Sequence, residues 1–325
     1  MTLTELKYIV ALARERHFGK AAETCHVSQP TLSVAIRKLE DELGVQLFER
    51  QANDITLTPL GDEIVRQAQV VLEQAQAIRE IAKRGQDPLA GPLRLGVIYT
   101  IAPYLLPDLV RRVIERTPQM PLILQENFTV RLLEQLRLGE IDCAILAEPF
   151  PETQLSTQAL YDEPFWAAVP ANHALASRAT VNAEVLKRET MLLLANGHCF
   201  RDHVLEVCPE FGRFAAGSDG ISRSFEGSSL ETIKHMVAAG MGVTLVPRLS
   251  VPPVSWQGDD GEVRAAALAP AWSHWQYVRY LPFEGDVPTR RVVLAWRKSF
   301  TRLEAIHALH QAVMDCELPG VTPCS

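Results

Sequence analysis

The chain of 325 residues contains no apolar run approaching the roughly 18 residues that a membrane-spanning helix needs. It shows no export signal, because Met1-Thr-Leu-Thr-Glu-Leu6 leads directly into an amphipathic pattern. The expectation is therefore a cytoplasmic protein in a reducing environment. A disulfide framework is also missing: the six cysteines, Cys25, Cys143, Cys199, Cys208, Cys316 and Cys324, are dispersed rather than regularly spaced. The nine histidines show no ligand spacing, and neither a P-loop nor a dinucleotide fingerprint occurs. No metal and no cofactor are expected, and Gly240-Met-Gly242 reads as a helix-end turn. Positive charge is not in excess. Thirty-two Lys and Arg against 39 Asp and Glu leave a net charge of −7, which excludes indiscriminate nucleic-acid binding but permits a focused site.

What the chain does have is 47% hydrophobic residues, enough for several cores. Residues 1–58 read as helices at about Leu3–Arg16 and Gly19–Cys25, then a third helix N-capped by Ser28 with Pro30 in its first turn. Leu32, Ile36, Leu39 and Leu43 stripe one side of that helix, and Gly44 ends it. Two short strands, Leu47–Arg50 and Ile55–Thr58, follow around Asn53-Asp54. This is a winged helix-turn-helix pattern, whose third helix would present Gln29, Thr31, Ser33, Val34 and Arg37 to a DNA groove. A small helical interaction domain fits the same periodicity. Seven cations against eight anions give residues 1–58 a charge of −1, with the acidic Glu40–Glu42 placed away from the base-reading end.

Residues 59–90 form a long helix and linker. Ile64, Ala68, Val71, Ala75, Ile78 and Ala82 recur at heptad spacing, which favours a partner helix and hence a dimer; packing on its own domain is the alternative. Gly85–Pro92 reads as the linker proper. Residues 91–312 alternate strands and helices, predicting an α/β domain of two lobes with a mostly parallel sheet and a cleft. The final strands, near Tyr277–Tyr280 and Val292–Trp296, are expected to return to the first lobe. Residues 313–325 read as a tail.

One segment stands out. Cys199 and Cys208 lie nine residues apart, with His198 and Arg201 beside the first. Phe200, Val204 and Val207 fall on one side of a helix. If the segment is helical, the two Cα atoms are about 13–14 Å apart, whereas a disulfide tolerates only about 4.4–6.8 Å. The thiols could bond only if the helix unwound, which suggests a switch. Two small buried hydrophobes are the plain alternative. A helix N-terminus after Gly197, His198 and Arg201 would each favour the reactive thiolate at Cys199.

The run Phe18-Gly-Lys-Ala-Ala-Glu-Thr-Cys-His-Val-Ser-Gln-Pro-Thr-Leu-Ser33, with Ile36-Arg-Lys-Leu-Glu-Asp-Glu-Leu-Gly44 and Leu47-Phe-Glu-Arg50, resembles the LysR-type transcriptional regulators. Thr100-Ile-Ala-Pro-Tyr-Leu-Leu-Pro107, Gly197-His-Cys-Phe-Arg-Asp202 with Cys208, and Ser229-Leu-Glu-Thr-Ile-Lys-His-Met-Val-Ala-Ala-Gly240 resemble its hydrogen-peroxide-sensing OxyR subfamily. The resemblance implies a winged helix-turn-helix, a linker helix and a two-lobed domain like the periplasmic binding proteins. It also implies a homotetramer that binds promoter DNA, with RNA polymerase as a candidate partner. By position it assigns Cys199 as peroxidatic and Cys208 as resolving. It places Thr100, Thr129, His198, Arg201 and one or both of Arg290 and Arg291 around peroxide, and Gln29, Pro30, Thr31, Ser33, Arg37 and Arg50 at DNA. Three departures accompany it: a non-basic wing at Gln51–Asp54, His203 in place of an amide, and Pro209 after Cys208. The expected role is regulatory rather than enzymatic. Two rivals are a regulator binding an organic anion at a helix N-terminus capped by Ser228 or Ser229, and a thiol peroxidase.

Overall fold

The computed structural model describes residues 1–51, 54–82, 89–151, 154–209, 226–227, 229–252 and 277–324. The N-terminal domain contains α1 (Leu3–Glu15), α2 (Phe18–Thr24), α3 (Gln29–Leu43), and the hairpin of β1 (Phe48–Gln51) and β2 (Asp54–Leu57). Local chemistry sets these boundaries. Thr2 and Glu5 form a reciprocal capping box at α1, and the Ser28 hydroxyl accepts from the Thr31 N–H at α3. Gly44 ends α3 with φ +71°. Leu32, Ile36 and Leu39 are fully buried, but Leu43, expected on the same stripe, is exposed. The Glu40 carboxylate accepts from the N–H groups of Leu47 and Phe48, so one of the acidic triplet anchors the wing to the end of α3.

The linker helix α4 (Pro59–Ala82) starts hard against the wing: a Cβ on Gly61 would lie 2.1 Å from the Leu47 carbonyl oxygen. The expected partner-helix seam divides. Val65 and Ala68 are buried in the N-terminal domain's own core, with Ile64 and Val71 packed on it, whereas Ile78 is exposed. Half of the apolar stripe therefore serves its own domain. The Ala82 side chain and most of the linker, residues 83–88, lie outside the described residues. Arg137 pairs with Asp62 at 3.1 Å, and Arg297 with Glu73, tying α4 to the regulatory region.

That region has two cores. The first is built on β3 (Leu93–Ile98), β4 (Leu122–Asn127), β5 (Cys143–Ala147) and β11 (Thr289–Arg297), flanked by α5 (Ala102–Arg116), α6 (Thr129–Arg137) and α10 (Leu303–Met314). The second holds β7 (Leu193–Leu194), β9 (Thr244–Pro247) and β10 (Val278–Pro282), with α7 (Ala183–Leu186), α8 (Cys199–Val207) and α9 (Leu230–Ala238). β8 (Glu226–Gly227) pairs with β7. One strand joins the lobes: β6 (Leu155–Pro170) pairs with β11 over 155–164 and with β9 and β10 over 165–170.

Three expectations change here. The sheet is mixed: β3 pairs in parallel with β4 and β5, while β6, β9, β10 and β11 pair antiparallel. The segment near Tyr277–Tyr280 does not return to the first lobe. Val278, Tyr280 and Leu281 belong to the second core, because β10 pairs with the far half of β6; only β11 returns. The boundary at 312 falls within α10, and β12 (Thr322–Pro323) adds to β6, so residues 313–324 pack on the first lobe.

Candidate functional site

The chain turns sharply at Gly197 (φ +101°), and α8 begins with His198 as N-cap and Cys199 as its first residue. Phe200 and Val204 pack into the second core, as their spacing predicted. Cys199, half-buried, packs instead against the first core. Cys208 closes the helix, its N–H donating to the Val204 carbonyl at 3.0 Å, and is fully buried in the second core. Neither thiol is in a disulfide. The two sulfurs thus belong to different cores at opposite ends of one helix.

Opposite Cys199 stands Arg290, fully buried on β11. Its Nη1 donates to the Thr100 hydroxyl at 2.8 Å and its Nη2 to the Thr100 carbonyl at 3.1 Å. Nε and Nη2 donate to the Glu163 carboxylate at 2.9 and 2.8 Å, and the guanidinium lies 5.3 Å from the Phe200 ring centre. Burial works against this charge, but Glu163 and then the Cys199 sulfur outweigh it, so the Arg290 pKa is raised. The other oxygen of Glu163 accepts from the Leu249 N–H at 2.8 Å. Glu163 was not anticipated from the sequence; an acid beside proline at the point where β6 changes lobes was the available signal.

Thr129 is the first residue of α6. Its hydroxyl is buried and, among the described residues, has no hydrogen-bond partner. Phe128 before it meets the His198 ring at 4.7 Å, which holds the start of α6 against the start of α8. Cys199, Thr100, Thr129, His198 and Arg290 are therefore collected where α5, α6 and α8 begin, each presenting the positive end of a helix dipole.

Arg291 is not brought to this cluster. It neighbours Arg290 on a strand, so its side chain faces the other side. It is exposed and forms a bidentate pair with Asp162 at 2.9 and 2.8 Å. Arg201 is buried and donates to the Leu194 carbonyl at 2.8 Å, fastening α8 to β7. Two positions beyond Cys199, it faces a different side of the helix.

The remaining cysteines are explained by packing or by the tail. Burial drives the Cys143 pKa far up, and burial with Asp108 pushes Cys316 up to about 12. Cys25 is raised by burial against Arg14 and Lys7. Cys324 is raised by burial and by Asp162.

His203, on α8, meets the Glu148 carbonyl through Nε2 at 2.9 Å, while its buried Nδ1 has no partner among the described residues. Burial lowers its pKa below the ordinary 6.5, outweighing the Glu148 contact, with Arg290 also lowering it. Since the unfolded chain takes up this proton first, stability is full above the ordinary value and is lost as pH falls toward the folded one. A His203→Gln variant, which keeps a donor to Glu148, should show a flatter dependence of the urea midpoint on pH between about 7 and 5. Equal slopes in variant and parent would refute this assignment.

At the N-terminus, Gln29, Pro30, Thr31, Val34 and Arg37 are exposed on α3 and Ser33 is half-buried. This is the placement that a base-reading helix requires. Arg50 sits in β1, but its side chain and residues 52–53 of the wing lie outside the described residues, as does Ser228; Ser229 is the N-cap of α9.

Two family models match these regions: the bacterial regulatory helix-turn-helix protein, lysR family, over residues 3–62, and the LysR substrate binding domain over residues 86–315. The chain belongs to the LysR family of transcriptional regulators. Within the family its relatives are OxyR proteins. The DNA-binding transcriptional dual regulator OxyR of Escherichia coli is 43% identical over 253 residues, covering 78% of this chain and 81% of that protein. The structure of full-length OxyR from Pseudomonas aeruginosa, a cysteine-to-aspartate variant, is 48% identical with TM-score 0.76. That match covers 98% of this chain and 99% of the other. A hydrogen-peroxide-bound OxyR variant from Corynebacterium glutamicum is 31% identical with TM-score 0.59, covering 96% and 91%. Among the described residues of this LysR-family chain, no helix is long and apolar enough to cross a membrane.

Proposed function

We propose that this chain is a hydrogen-peroxide-sensing transcriptional regulator whose switch is the Cys199–Cys208 pair. The observation that carries the reading is the placement of two reduced cysteines at the two ends of α8, each against a different lobe's core. Peroxide sits between Cys199 and the threonines, and the Thr129 hydroxyl supplies a hydrogen bond that nothing among the described residues takes up. The Cys199 thiolate attacks one peroxide oxygen: the S–O bond forms, the O–O bond breaks, and hydroxide leaves to take a proton. Arg290 and the converging helix N-termini stabilise the negative charge in this step. The resulting sulfenic acid condenses with the Cys208 thiol, forming the disulfide and releasing water. Because α8 keeps the sulfurs apart, that second step requires α8 to unwind and Cys208 to leave the second core. Thiol reductants reverse it.

The regulator acts as a homo-oligomer on promoter DNA through α3, in the cytoplasm, with RNA polymerase as the partner downstream. The thiol-peroxidase reading is weaker because it leaves the exposed face of α3 without a task. The testing measurement is peptide mass spectrometry of the reduced full-length protein after sub-stoichiometric hydrogen peroxide. A Cys199–Cys208 cross-link is expected. Oxidation spread over all six cysteines, or confined to others, would defeat the reading.

A further inference from the structure

Three of the site residues are each preceded in the chain by an aromatic ring: Tyr99 before Thr100, Phe128 before Thr129, His198 before Cys199. The three rings come from three separate elements and meet. Tyr99 and Phe128 lie edge to face at 5.2 Å, Phe128 and His198 edge to face at 4.7 Å, and Tyr99 and His198 tilted at 5.8 Å. Such edge contacts are mutually attractive because the positive rim of one ring meets the negative face of another. Exposure falls steeply across the group. Tyr99 is 37% exposed and His198 only 5%, with Thr100 at 3% and Thr129 at 7%. Gly197 lets the chain turn into the cluster, because its φ of +101° is a conformation that other residues rarely adopt.

We infer that Tyr99, Phe128 and His198 form an aromatic mouth that makes the site selective for hydrogen peroxide over bulky organic hydroperoxides. This rests on the assignment of Cys199 as the reacting residue. In either reaction the thiolate attacks the terminal oxygen, an S–O bond forms and the O–O bond breaks. Hydroxide leaves in one case and alkoxide in the other, and each then takes a proton from water. The difference is the substituent on the departing oxygen. A hydrogen fits behind the rings, whereas a tert-butyl group needs space that Phe128 and Tyr99 occupy. Rejection is therefore steric and does not require a hydrogen bond that the smaller substrate lacks.

The experiment measures second-order rates of Cys199 oxidation in reduced full-length protein with hydrogen peroxide and with tert-butyl hydroperoxide. Parent, Phe128→Ala, Tyr99→Ala and the ring-conserving Tyr99→Phe are compared, each with its melting temperature. Both alanine variants should shift the rate ratio toward tert-butyl hydroperoxide by about tenfold or more, and Tyr99→Phe should keep the parent ratio. Phe128→Leu takes the place of Phe128→Ala if that variant unfolds. Folded variants that keep the parent ratio would overturn the mouth while leaving the sensor reading intact. A parent Cys199 inert to both reagents would overturn both.

Discussion

Cys199→Ser should abolish the transcriptional response to hydrogen peroxide, whereas Cys208→Ser should leave the first oxidation intact and lose most of the conformational shift. The asymmetry follows from the two steps. Serine at 199 offers no thiolate, so no S–O bond forms and nothing downstream can occur. Serine at 208 removes only the resolving thiol. Cys199 still reaches sulfenic acid, but no loop closes. Closing a loop of about ten residues restricts the alternative conformations by about 2.5–3 kcal/mol on the loop-entropy account. That corresponds to roughly a hundredfold in a two-state equilibrium. Since Cys208 is fully buried in the second core and caps α8, the reduced state must be rebuilt locally before the bond can form. The measurement is operator footprinting and reporter transcription in oxidised parent and variants, with a sulfenic-acid trap on Cys199. A Cys208→Ser protein that responds to peroxide as fully as its parent would remove the disulfide from the mechanism.

Glu163→Ala is expected to lose about 3–5 kcal/mol of folding stability, the loss typical of stranding one member of a buried ion pair. Glu163 and Arg290 are both fully buried and joined at 2.8 Å, and Glu163 also holds the Leu249 N–H. Without the carboxylate, Arg290 keeps a full charge in a dry site with Thr100 as its surviving neutral partner. The pair bridges β6 and β11 next to the point where β6 passes from one lobe to the other, so the loss falls on the joint itself. Glu163→Gln should be milder, because the amide oxygen still accepts one bond. A Glu163→Leu/Arg290→Met double variant should recover much of the stability, since an apolar pair replaces an ionic one without a stranded charge. It should nonetheless oxidise slowly, because Thr100 and Cys199 lose their cation. Urea unfolding of the four proteins decides this. A Glu163→Ala protein as stable as its parent would show that Arg290 is not dependent on its acid.

Much of the fold was legible because its elements advertise themselves locally. Ser28, Pro30 and Gly44 bracket α3, and Leu32, Ile36 and Leu39 repeat at helical spacing, so both the helix and its buried face follow from neighbours in the chain. The helix between Cys199 and Val207 was equally plain. β6 was only half visible. Its first ten residues, Leu-Ser-Thr-Gln-Ala-Leu-Tyr-Asp-Glu-Pro, mix polar and apolar side chains because that stretch is only partly covered. Strand partners leave no local mark, which is why β10 was assigned to the wrong lobe. Arg290 and Arg291 were indistinguishable in sequence. A period of two decides which faces inward only once the sheet and its covering helices exist.

The amino-acid sequence by itself determined the reader helix, the helical span between two cysteines, and the separation that forbids their bond in that span, since capping, periodicity and rise per residue are properties of consecutive residues. Tertiary structure alone decided that Arg290 rather than Arg291 stands at Cys199, that Glu163 holds it, that the rings of Tyr99, Phe128 and His198 meet, and that the two sulfurs lie in separate cores. Those facts depend on long-range strand pairing and on burial, where a charge persists only if a distant partner is folded against it.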